Sequence, residues 1–275
     1  MGIEEVNRAA AAGAEGAAET TGCGGKTVIQ SKYTEGTASC PSCSASFDVV
    51  MWDRLEAVCN PERAAQLATG ALLVAKCPTC GAVVPLDYPL FYIDREHKAA
   101  AYYPAGRGEL DAIRSAFVAA SIRFADVDLG SLRRQEIEMR VTPHRHQLVE
   151  KVAAWRAGLD DRSLEVLKAQ LLDELRGRYP ERTFADIQFT GMDAAGEKLV
   201  FDLFARADGA ADGSIEDGSS EVVPAGQGIS IPLSFYRAVA SSADLHIEMD
   251  RDSHEPVIDS AWARRVLDAV AAAGR

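Results

Sequence analysis

Four of the six cysteines in this 275-residue chain fall into two matching motifs, Cys40-Pro41-Ser42-Cys43 and Cys77-Pro78-Thr79-Cys80-Gly81. Two thiolates three positions apart on a tight turn can grip one ion from the same side. A second such pair completes a tetrahedral shell with metal–sulfur distances of about 2.3 Å. The proline inside each motif fixes φ and removes one N–H, which stiffens the turn. Gly81 can take the positive φ that such turns demand just after the second sulfur. The equivalent residue after Cys43 is Ser44, so the first turn is expected to be more strained or differently shaped. Thirty-three residues separate Cys43 from Cys77, a tolerable span because the entropy of loop closure grows only logarithmically.

Two disulfides and a redox dithiol are the rival uses of these cysteines. The chain opens Met1-Gly2-Ile3-Glu4-Glu5, acidic where a secretory signal needs positive charge, and no apolar run follows. A cytoplasmic location is therefore expected, where thiols stay free or bind metal. A redox dithiol needs one pair, which leaves the second surplus. One zinc ion on Cys40, Cys43, Cys77 and Cys80 is the expected occupant, with iron next, since four-thiolate tetrahedral sites suit either. Such a shell leaves no open position for water or substrate, so the ion is expected to build structure and not to act as a Lewis acid.

The elements that must position these sulfurs can be read from residue patterns. Residues 1–33 are Ala, Gly, Thr and Glu without period, and read as a disordered tail. Residues 34–105 contain strand-like runs at 47–52 and 82–86, with a short helix between them that starts at Asn60-Pro61 and ends at Gly70. Residues 106–180 read as a helical segment. It has helices at 109–120 and 143–157, then one capped by Asp160 with Leu164, Leu167, Leu171 and Leu175 in one stripe. Residues 181–275 form an acidic region with strands at 184–189 and 199–204. A Gly/Asp/Ser loop follows at 208–220, then short strands at 221–223 and 228–231 paired around Pro224-Ala225-Gly226. Helices near 234–239 and 260–273 end the chain. The fold class is thus α+β: a zinc-ribbon-like β domain, a helical segment and an α+β C-terminal part.

The first motif, followed by Phe47-Asp48-Val49, Trp52 and Asn60-Pro61-Glu62, resembles the first half of the CpXC family. The second motif and Tyr88-Pro89-Leu90-Phe91-Tyr92-Ile93-Asp94 resemble its second half. Leu148 to Val152 and Gly158-Leu159-Asp160-Asp161-Arg162 look like its C-terminal part. The resemblance spans about residues 36–170. These are bacterial and archaeal proteins named for the doubled Cys-Pro-X-Cys, and the likeness implies metal ligands and a domain without implying an activity.

Charge narrows the partners. The net charge is -12, and residues 181–275 hold 17 acidic against 8 basic residues, nine of those twelve units. Neither nucleic acid nor an anionic membrane is attracted to such a chain, so a protein partner is expected for a ribbon that serves as scaffold or interaction module. An enzyme is the alternative. Its pocket would lie between the ribbon and the helical part, lined by aromatic residues at 88–103 and served by carboxylates near Asp94, with the zinc only structural. Other features have plainer readings. Gly22 to Thr27 lacks the first glycine and the preceding strand of a phosphate loop. Cys59 reads as a buried inert thiol, His144 and His146 as diverging on a helix start, and His97 as a surface turn. Asp160 and Asp161 read as helix caps, and Asp244, Glu248, Asp250 and Asp252 as a solvated acidic face.

Overall fold

Alternation along residues 46–56 makes a strand with one face inward, and it is continued by the run before the first cysteine motif. The computed structural model describes residues 30–106, 110–119, 123–124, 126–206 and 222–274. Its strands and helices confirm the α+β class. They divide into two units, Met1–Val152 with His254–Val257 and Ala153–Ser253 with Ile258–Arg275; the boundary falls inside one helix.

In the first unit, β1 (Lys32–Ser39) and β2 (Ser46–Glu56) form an antiparallel hairpin whose register closes at Ser39 opposite Ser46. Then come α1 (Pro61–Ala68), a 3-10 turn (Ala71–Leu73), and the short hairpin of β3 (Val74–Lys76) and β4 (Val83–Pro85). Strands β5 (Leu90–Asp94) and β6 (Ala99–Tyr103) follow, with α2 (Leu110–Ala119), β7 (Arg123–Phe124), β8 (Val127–Asp128), α3 (Leu129–Arg134) and β9 (Glu138–Val141). The main sheet runs β1-β2-β5-β6-β9. Every residue of β5 and β6 is buried, as expected of strands with neighbours on both sides. Phe91 stacks on Phe117 with 6.0 Å between ring centres, in a core completed by Ile113, Leu129, Leu132 and Val141. The segment 254–257 joins this unit through the Val141 N–H, which donates to the Pro256 carbonyl at 2.8 Å, and through an Arg114–Glu255 ion pair.

Helix α4 (Arg145–Arg156) carries the boundary, and α5 (Asp161–Arg178) opens the second unit. There β10 (Phe184–Met192), β11 (Lys198–Arg206) and β12 (Val222–Pro232) form an antiparallel meander with α6 (Leu233–Ala240), α7 (Ala243–Arg251) and α8 (Ser260–Ala273). Leu164, Leu167, Phe189, Phe201, Met249 and Trp262 pack in one core. Asp173 and Arg264 tie α5 to α8 with two hydrogen bonds of 2.5 and 2.6 Å.

Several expectations change. Ser31 is fully buried and Lys32 opens β1, so the expected tail ends before residue 33; residues 1–29, with the Gly22 to Thr27 run, lie outside the described residues. Residues 106–180 contain three strands besides their helices, so this segment is not helical throughout. Pro224-Ala225-Gly226 is not a hairpin turn: β12 runs through it, pairing with β11 at Pro224 opposite Phe204 and again at Gly228 opposite Asp202, with a break in register between them. The loop at 208–220 lies outside the described residues. The acidic run at 244–252 lies largely on α7, a helix absent from the sequence reading.

Candidate metal centre

Cys40 and Cys43 stand on the turn between β1 and β2, and Cys77 and Cys80 on the turn between β3 and β4. Both turns share one hydrogen-bond frame. The Cys40 N–H donates to the Ala45 carbonyl at 2.9 Å and the Ser44 N–H to the Cys40 carbonyl at 2.8 Å. In the second turn the Cys77 N–H donates to Ala82 at 2.8 Å and the Gly81 N–H to Cys77 at 2.9 Å. The residue after the second cysteine is left-handed in each, with φ of 61° at Ser44 and 76° at Gly81. The shapes therefore match. The difference is strain alone, because a side chain in this region costs about 1 kcal/mol where glycine costs nothing extra.

All four Sγ atoms lie within 4.8 Å of one another. Cys40 is 3.6 Å from Cys80, and Cys43 is 3.6 Å from Cys77. A regular tetrahedron with metal–sulfur bonds of about 2.3 Å has edges of about 3.8 Å, so the four sulfurs could hold one metal ion in that geometry. Cys40 and Cys77 are each 1% exposed and pack with Val84 against Ala45, Phe47 and Ala82. Cys43 and Cys80 are exposed.

The electrostatics of the four thiols also call for a cation. The backbone N–H of Cys80 draws the Cys77 thiol down, opposed by burial and helped by the N–H of Thr79, to about 6. Burial pushes Cys40 up, but the N–H groups of Cys43 and Ser42 and the sulfurs of Cys80 and Cys43 leave it below its ordinary value. The Ala45 N–H lowers Cys43, yet the Cys80 sulfur, burial, and the Cys77 and Cys40 sulfurs raise it to about 12. Neighbouring sulfurs cannot all ionise together unless positive charge sits among them. The Lys76 stem lies over the second turn: a Cβ on Gly81 would meet Lys76 Cε at 3.6 Å.

The remaining candidates settle into structural roles. Asp160 is the N-cap of α5, accepting from the Arg162 and Ser163 N–H groups, as its place before an apolar stripe suggested. His144 precedes α4, so its ring and that of His146 do not diverge: they lie 5.5 Å apart and parallel. Cys59 is not a buried thiol. It is half-buried in the turn after β2 and disulfide-bonded. Tyr88, Phe91, Tyr92, Tyr102 and Tyr103 are buried in the first unit, so the aromatic run is core and no exposed lining.

One polar cluster gathers around Asp94, near which the enzymatic alternative placed its carboxylates. Asp94, 1% exposed, accepts the Tyr92 hydroxyl at 2.9 Å and the His97 N–H at 3.1 Å, with His97 Nδ1 at 2.9 Å. His97 is thus anchored and not a free surface residue. Glu56, also 1% exposed, accepts the Cys59 N–H at 2.8 Å. Burial pushes its carboxyl above the usual range, against the pull of that N–H and of Arg95. The signal that could have shown Asp94 to be buried is its place at the last position of a wholly apolar strand. In the second unit, a groove of about 570 Å³ lies among Leu175, Phe184, Leu203, Ile231 and Phe235, with Arg178 and Arg182 at its rim. Arg178 is bound to Glu174 at 3.0 Å and Arg182 lies over the Tyr179 ring.

Residues 38–168 match a family model described as CpXC protein. Over this stretch, just under half of its length, the chain is similar to the CpXC family. The matched region begins two residues before Cys40, takes in both cysteine turns, and ends within α5. No curated protein and no solved structure matches the chain. Among the described residues, no helix is long and apolar enough to cross a membrane.

Proposed function

We propose that this chain is a zinc protein in which Cys40, Cys43, Cys77 and Cys80 hold one structural ion. The ribbon so formed serves as a scaffold for protein partners and does not run a reaction. The observation that carries this reading is the set of four sulfurs, within 4.8 Å of one another and with no further His, Cys, Asp or Glu grouped with them among the described residues; four thiolates fill a tetrahedral shell. Zinc supplies folding energy there, on the order of 10 kcal/mol for a small domain. Iron is the second candidate because the donor geometry suits both metals. The acidic composition, with a net charge of -12, supports protein over nucleic-acid partners.

Elemental analysis of the purified chain tests the first part. One zinc per chain, lost when Cys40 and Cys77 are changed to serine, is the expected result; iron–thiolate absorption or a metal-free chain would overturn it. A thermal-shift screen of metabolites tests the second part, since whatever binds the native form raises its melting temperature. A metabolite that both stabilises the chain and is turned over by it would replace the scaffold reading by an enzymatic one.

A further inference from the structure

The four sulfurs are arranged for a chemistry besides metal binding. Each 3.6 Å contact joins one turn to the other, Cys40 to Cys80 and Cys43 to Cys77. Each contact also pairs an exposed sulfur, Cys80 or Cys43, with one that is 1% exposed, Cys40 or Cys77. A small oxidant reaches the exposed member, and a resolving sulfur waits beside it. We propose that Cys43 and Cys80 are sites of peroxide modification, and that oxidation replaces the ion by two disulfides crossing between the turns, Cys40–Cys80 and Cys43–Cys77.

This inference rests on the zinc reading for the ion that is displaced, but not for the pairing. In each half, the exposed thiolate attacks a peroxide oxygen. An S–O bond forms, the O–O bond breaks, and a sulfenic acid and hydroxide result. The buried thiolate then attacks the sulfenyl sulfur, the S–S bond forms, and the second hydroxide leaves. Each disulfide removes two electrons from two thiolates and reduces one peroxide. The whole centre consumes two peroxides, yields two disulfides and four hydroxides, and releases its divalent ion. The new links span 40 and 34 positions of the chain, so they hold the two turns together after the metal has gone, as closure of long loops does. The disulfide already at Cys59 takes no part.

The test uses the full chain, first assayed for zinc, then treated with hydrogen peroxide. A chromophoric chelator follows metal release, a thiol reagent counts free sulfurs, and mass spectrometry maps linked tryptic peptides. Cleavage at Lys32, Arg54, Lys76 and Arg95 puts Cys40 with Cys43 in one peptide, Cys77 with Cys80 in a second, and Cys59 in neither. Release of the bound zinc, loss of the four thiols, and joining of those two peptides are expected. Two internally oxidised but unjoined peptides would overturn the proposal, as would thiol loss with the zinc retained. A chain that binds no zinc defeats the metal reading, while joined or unjoined peptides still decide whether the links cross between the turns, and fragmentation of the joined peptides decides which sulfurs are paired. The double variant Cys43→Ser, Cys77→Ser should still form the Cys40–Cys80 link. Cys43→Ser, Cys80→Ser, which keeps only the two buried sulfurs, should oxidise at least about tenfold more slowly. Circular dichroism of each variant confirms the fold, and equal rates in two folded variants would sink the assignment of the exposed sulfurs.

Discussion

Ser44 holds a left-handed backbone that its counterpart Gly81 adopts without strain. Replacing it by glycine should stabilise the metal-loaded chain by up to about 1 kcal/mol, partly offset by the greater freedom of an unfolded glycine. Gly81→Ser should destabilise it by a similar amount; urea unfolding of both variants measures this. The thiols make a second prediction, for the metal-free chain. Cys77 lies at about 6 against an ordinary 9.0, so its thiolate is favoured by the fold. The corresponding stability is fully present above pH 9.0 and is lost as the pH falls toward 6. Denaturation midpoints after chelation should therefore rise with pH across that window, and the rise should flatten in Cys77→Ser. The four sulfurs were legible because ligand spacing is a local property of the chain and survives whatever the intervening residues do. The Asp94–His97 anchor was not: its meaning depends on the burial of Asp94, which β6 on one side and β2 on the other impose.

Helix ends show the same contrast between local and tertiary signals. The α5 cap is local, with Asp160 accepting the Ser163 N–H at 3.1 Å and the Ser163 hydroxyl at 2.6 Å. Asp160→Ala should cost about 1 kcal/mol by loss of that cap, seen as a lower urea midpoint, and Asp160→Asn should recover most of it. The last helix was readable end to end, because Asp259 caps Trp262 and the apolar spacing of Trp262 and Val266 matches one buried face. Helix α7 was hidden by its own charge: Asp244, Glu248 and Asp250 dominate the run, while the informative residues are Leu245 and Met249, buried one turn apart behind the Ser242 cap. Strand β12 defeated a turn signal. Pro224 is tolerated because β12 is an edge strand of its meander, where a missing N–H can face away from the ladder, and because it stands beside the break in register that ends at Gly228.

At the scale of the molecule, the four sulfurs lie in one unit, and the other has a separate apolar core that includes Phe189, Phe201 and Trp262. Chelation should lower the melting transition of the first unit and leave that of the second in place, so calorimetry should show two transitions of which one moves. A single transition shifting as a whole would show that the two melt as one cooperative body. The two hairpins at the centre are unequal supports. β1 and β2 are 8 and 11 residues long and lie in a five-stranded sheet, whereas β3 and β4 have 3 residues each and pair only with one another. An isolated ribbon of that size is marginal in water. Losing the ion therefore leaves one bank of the centre standing while the other frays: deuterium should enter residues 74–85 quickly and residues 32–56 hardly faster than before. The long hairpin is the anvil, and the short one is what a bound ion would fasten to it.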